Sequence, residues 1–126
     1  MTELFHLGLR RAFRADHALV GGDWGRENQR HSHDYVWEIR LEGRVLDRHG
    51  FLVDLVTLEA AVRVVLARYR NAFLNDVEPF QGLNPSLERF ARQLGLDLKR
   101  ILNAPEIQLE SVLWENQDAW ASWSSS

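Results

Sequence analysis

Three histidines are the residues of this chain best placed to do chemistry. His31 and His33 flank Ser32 in a His-x-His motif, and His17 stands some way before them. On a β-strand, residues i and i+2 point to one face about 6.6 Å apart, close enough for two imidazoles to converge on one ion. The spacing fits a metal pair, but alone it is a weak sign, since two solvated or hydrogen-bonded histidines are the commoner case. His17 is the candidate third ligand. If it closes one strand of an antiparallel meander and His31 opens the next, the two lie side by side. Three histidines plus a water is the open ligand set of a catalytic zinc. Cysteine is absent, which excludes thiolate ligands, disulfides and a thiol nucleophile together. His6 and His49 sit on a strand face and in a turn, and neither is assigned to metal.

The elements that must position these side chains can be read from hydrophobic period. Leu4 to Arg14 alternates, with Phe5, Leu7 and Leu9 on one face, and predicts a strand. The stretch Gly21-Gly22-Asp23-Trp24-Gly25 reads as a loop, in which Trp24 either anchors the loop or covers a pocket. His31 and His33 open a second strand, and Tyr35 to Leu46 continues its alternation. After a turn at Asp47 to Gly50, Phe51 to Leu55 is either a short strand or the approach to a helix. From Leu55 to Tyr69 the apolar positions fall at i, i+3, i+4 spacing, an amphipathic helix of about five turns that Asp54 can cap. Ser86 is the expected N-cap of a second helix, which Gly95 weakens near its end. Ile107 to Trp114 and Ala119 to Trp123 predict the last two strands, separated by a turn at Glu115 to Asp118. Residues from about 120 to 126, ending in serines, are expected to be a flexible tail. The order is strand, strand, helix, helix, strand, strand. It predicts one α+β domain over residues 1–126, with an antiparallel four-stranded sheet and two helices on one face.

Composition narrows the function classes. The 126 residues carry a formal net charge of -3, so no basic field exists to hold nucleic acid or an anionic membrane. No apolar run approaches the roughly 20 residues of a membrane span. A cytoplasmic protein with a small-molecule partner is the expectation. Trp114, Trp120 and Trp123 crowd one end of the sequence, fitting core packing, a subunit contact or a ligand flank.

Six short motifs, in order along the chain, carry a resemblance. Phe13-Arg14-Ala15-Asp16-His17-Ala18-Leu19 resembles the Phe-x-Ala-Ala-His-x-Leu segment of the 6-pyruvoyl- and 6-carboxy-tetrahydropterin synthases. His31-Ser32-His33-Asp34-Tyr35 is similar to their His-Gly-His-Asn-Tyr. Gly50 to Leu55, Leu74-Asn75-Asp76, Asn84 to Glu88 and Val112 to Asn116 match the remaining family segments in register. The resemblance implies the tunnelling fold, in which subunits join their sheets into an oligomeric barrel, usually a homohexamer built as a dimer of trimers. It implies zinc (Zn2+) on His17, His31 and His33. It also implies a lyase that eliminates triphosphate from 7,8-dihydroneopterin triphosphate or acts on a related pterin, in queuosine, biopterin or folate biosynthesis. Glu115 then corresponds to the glutamate that accepts from the pterin's amino and ring N–H groups, with Asn116 in place of the neighbouring threonine.

The family's proton-shuttling groups are missing from this pattern. The usual cysteine, four residues before the first histidine of His-x-His, is Glu27 here. The usual Asp-His pair is Arg70-Asn71, and an asparagine side chain cannot act as a base near neutral pH. Glu27 can take the acid/base role. A branch of the family with glutamate for cysteine makes 6-hydroxymethyl-dihydropterin, but there the glutamate stands three residues before the histidine, where this chain has Asn28. A zinc-dependent lyase with altered chemistry is therefore one expectation. A catalytically silent homologue that binds zinc and a pterin-like ligand is the other.

Overall fold

A computed structural model describes residues 3–125. Two long strands lead, β1 (Phe5–His17) and β2 (His31–Gly43). Two helices follow, α1 (Leu55–Tyr69) and α2 (Leu87–Leu102), and then β3 (Gln108–Glu115) and β4 (Ala119–Ser124). The strands form one antiparallel sheet in the order β1-β2-β3-β4, with both helices on one face. This is the predicted α+β architecture.

Alternation along the strands decides which side chains meet the helices. The odd-numbered residues of β1 and β2 face inward: Phe13, Ala15 and His17, then His33, Tyr35, Trp37, Ile39 and Leu41 are all buried. They pack on Leu58, Val62, Val65, Leu66 and Tyr69 of α1 and on Phe90, Leu94 and Leu98 of α2. The even-numbered residues face away and carry ion pairs: Arg10 with Glu38, Arg14 with Asp34, Arg30 with Asp16. Polar contacts in the core show the pairing that burial favours. Trp37 Nε1 donates to Ser111 Oγ at 2.9 Å, and that hydroxyl donates to the Ala91 carbonyl at 2.7 Å. The Tyr69 hydroxyl donates to the Asp97 carboxylate and ties the two helices together.

The helix starts follow their caps. Asp54 accepts from Val56 N–H at 2.9 Å and Ser86 from Arg89 N–H at 3.2 Å. The first strand runs past its alternating stretch and closes on His17, as a meander of the two strands implied, because β2 pairs with it along its whole length. Phe51 to Asp54 is a bend, the approach to a helix rather than a strand. Three local expectations differ from the structure. The helix α1 has 15 residues, about four turns rather than five. Gly95 lies well inside α2. A Cβ there would come within 2.5 Å of the Trp123 ring, so the glycine admits the indole between helix and sheet. The expected flexible tail is β4 as far as Ser124, paired residue for residue with β3; Ser126 lies outside the described residues. No described helix is long and apolar enough to cross a membrane.

Candidate metal and ligand site

The β1–β2 register brings the histidines together. His17 pairs directly with His31, and Ala15 with His33, so all three imidazoles project from the helix-covered face at one end of the sheet. Their ring centroids lie 4.5–4.7 Å apart and the rings stand nearly perpendicular to one another. Each Nε2 is buried without a directed hydrogen bond. Behind the cluster, each Nδ1 has a partner: the Pro85 carbonyl at 3.1 Å for His17, the Gln29 carbonyl at 2.7 Å for His31, and the Asn116 amide at 3.0 Å for His33. Three buried nitrogens aimed at one point, each ring held from behind, is the donor arrangement that a divalent cation requires. Glu27 completes the group, because one oxygen of its carboxylate and one nitrogen from each imidazole all lie within 4.8 Å of one another. Burial lowers the pKa of the His17 imidazole from its ordinary value, against the pull of the Pro85 carbonyl, and so favours the neutral ring. A neutral ring is the form that ligates.

Glu27 arrives on a loop. Its segment forms a short 3-10 turn, Gly25–Asn28, and Glu27 Oε2 lies 3.3 Å from His31 Nε2. Asn28 organises the loop. Its Nδ2 donates to the Leu19 and Gly22 carbonyls at 3.0 and 2.9 Å, and its Oδ1 accepts from Trp24 N–H at 2.8 Å. Leu19 N–H donates to the Glu27 carbonyl and closes the loop at its base. The Trp24 ring lies against Gly22, where a Cβ would come within 2.6 Å of it, so this tryptophan packs on its own loop. The loop's side chain at the histidines is therefore Glu27, while Asn28, one residue on, is occupied by backbone groups.

Glu115 ends β3 beside the cluster, with its Oε1 2.9 Å from His33 Nε2 but off the N–H direction. Burial raises its carboxyl pKa above the usual range and the nearby Glu27 adds to this, while His33 opposes it. Asn116, with φ 51, opens the β3–β4 turn and spends its side chain on His33 and the Asp34 backbone. Tyr35 underlies His33, its ring centroid 5.9 Å away.

Two asparagines of the quoted motifs do positioning work that their sequence context did not reveal. Asn75 accepts from Ala18 N–H at 2.9 Å and donates to the Ala18 carbonyl at 2.8 Å. Asn84 makes the same pair of bonds to Val20, at 2.7 and 3.0 Å. Together with the Pro85 carbonyl they hold the segment that leaves His17. Their place inside matched motifs was the available signal. Arg70 and Asn71 follow the end of α1. Both are exposed, and Asn71, at φ 60, spends its N–H on the Arg14 carbonyl. His6 and His49 lie outside the cluster; His6 pairs with Glu42.

A family model for 6-pyruvoyl tetrahydropterin synthase matches residues 6–126. The chain belongs to this family. A Caenorhabditis elegans protein provisionally named 6-pyruvoyl tetrahydrobiopterin synthase is 31% identical over 86 residues, 68% of this chain and 61% of that one. The chain thus aligns with about 61% of that curated relative's length. Among solved structures, a C. elegans 6-pyruvoyl tetrahydropterin synthase superimposes with TM-score 0.86 at 22% identity, covering 99% of this chain and 98% of that one. A Plasmodium vivax 6-pyruvoyltetrahydropterin synthase, whose catalytic glutamate is replaced by alanine, gives TM-score 0.81 at 16% identity over 98% and 99% of the two chains. The four-stranded sheet with two helices on one face is the fold of these synthases, as the motif resemblance implied.

Proposed function

We propose that this member of the synthase family is a zinc-dependent lyase acting on 7,8-dihydroneopterin triphosphate or a related pterin. The observation that carries this reading is the convergence of three buried Nε2 atoms with the Glu27 carboxylate, while Glu115 stands against His33. In this reading His17, His31 and His33 are the metal ligands. A divalent cation there would supply Lewis-acid chemistry, lowering the pKa of side-chain hydroxyls near it. Glu27 is the acid/base: its carboxylate is within reach of that point, on a loop exposed enough to exchange its proton with solvent. The P. vivax synthase described with a catalytic glutamate is a precedent in this fold for such a carboxylate. Glu115 takes the pterin, because a carboxylate presents two acceptors to a two-donor edge. Asn116 stands beside it at the ligand-binding end.

The sheet edges β1 and β4 have no partner strand among the described residues. That supports closure into a barrel by further copies, a homohexamer in the family pattern. A second reading, a silent homologue that binds zinc and a pterin without turnover, is favoured by one observation. Arg70 and Asn71, in place of the family's Asp-His, are exposed and offer no side chain that acts as a base near neutral pH.

The test is incubation of zinc-loaded protein with 7,8-dihydroneopterin triphosphate. The lyase reading predicts triphosphate release that Glu27→Gln abolishes. Tight pterin binding without release in the wild type would establish the silent homologue instead.

A further inference from the structure

The three histidines are not held alike. The Nδ1 partners of His17 and His31 are main-chain carbonyls, which only accept. Both rings therefore carry their proton on Nδ1 and keep Nε2 as a lone pair directed at the common point. His33 faces a side-chain amide, which offers a donor at one end and an acceptor at the other. The surrounding bonds set that amide. Asn116 Oδ1 accepts from Asp34 N–H at 3.3 Å, which leaves Nδ2 to donate to His33 Nδ1 at 3.0 Å. With Nδ1 accepting, the proton of a neutral His33 sits on Nε2, the atom the cluster needs as a ligand. Turning the amide over gives up the long bond to Asp34 and sets Nδ2 against that backbone N–H. It lets Oδ1 accept from Nδ1–H and returns the lone pair to Nε2.

We infer that Asn116 is a positioning residue that switches His33 between a tautomer that cannot ligate and one that can, by reversal of its side-chain amide. The inference rests on the proposed three-histidine metal centre. His17 and His31 form a standing half of that centre, and His33 joins when the amide turns. Because Asn116 directly follows Glu115, the same turn of chain carries both the tautomer control and the proposed ligand carboxylate.

Two variants and one spectroscopic reading test this. The positive φ of Asn116 suits glycine, so Asn116→Gly deletes the amide with little backbone cost. Asn116→Asp keeps an acceptor and removes the donor. Zinc affinity, measured by competition with a chromophoric chelator, is expected to fall about 10- to 100-fold in Asn116→Gly, the usual loss for an outer partner of a ligating histidine. Asn116→Asp should bind zinc at least as tightly as the wild type. Nitrogen-15 NMR of metal-free protein at pH about 8, where imidazoles are neutral, should place the His33 proton on Nε2 in the wild type and on Nδ1 in Asn116→Asp. Zinc affinity in Asn116→Gly within twofold of wild type, or an Nδ1–H tautomer in the metal-free wild type, overturns the inference alone. Failure of the wild type to take up zinc overturns the metal centre and the inference with it.

Discussion

His17, His31 and His33 reach the site on paired strands, whereas Glu27 reaches it on an exposed loop. The strand-borne side is fixed several times over. Register sets His17 against His31, the core packs beneath Tyr35, and each ring is gripped at Nδ1. The loop-borne side rests on Asn28, one backbone bond at its base and short bonds within its own turn. Precise geometry is needed where several donors must share one point, and ordered strands supply it. A group that gives and takes protons benefits from access to solvent and room to move, which a loop supplies.

This contrast can be broken at either side. The largest effect is expected from Glu27→Gln, which should lower turnover about 10²- to 10⁴-fold, the usual share of an acid/base group. Bound metal should stay unchanged; loss of metal in that variant would show that the loop carboxylate belongs to the ligand set. Asn28→Ala comes next. Freeing the loop should cost up to about 100-fold in turnover by displacing Glu27, again with metal retained. Asn75→Ala attacks the strand-borne side. It leaves both backbone groups of Ala18 unpaired, a loss of about 1–3 kcal/mol in denaturant unfolding. Zinc affinity should fall with it, because His17 is the next residue back. Gly95→Ala is the smallest and serves as the control. Crowding against Trp123 should destabilise by roughly 1–3 kcal/mol, less about 1 kcal/mol of recovered helix propensity. Metal affinity in the folded protein should not change, since Gly95 meets the other end of the packing. A Gly95→Ala variant with weakened metal binding would mean that the site senses general stability rather than local clamps.

The strand-borne side was legible in the sequence and the loop-borne side only partly so. Period two placed His31 and His33 on one face, and the meander placed His17 beside them, because strand geometry leaves no other choice. The loop has no period. Sequence counting left Glu27 one residue out of the expected register, and only the 3-10 turn with its Asn28 bonds shows which side chain meets the histidines. The asparagine clamps were visible as motif matches but not as contacts, since each bonds to a segment more than fifty residues away. Gly95 read as a helix weakener because its reason lies across the sheet interface, in Trp123. The strand at Ala119–Ser124 was underestimated at its end because serines carry little strand signal of their own; pairing with β3 holds them.

The most direct test of the central claim is elemental analysis of purified protein, wild type beside His17→Ala, His31→Ala and His33→Ala. The account predicts about one divalent cation for each wild-type chain and near-complete loss in each single variant, with the fold retained by circular dichroism. A wild type that holds no cation after zinc loading, or variants that hold as much as the wild type, would contradict it.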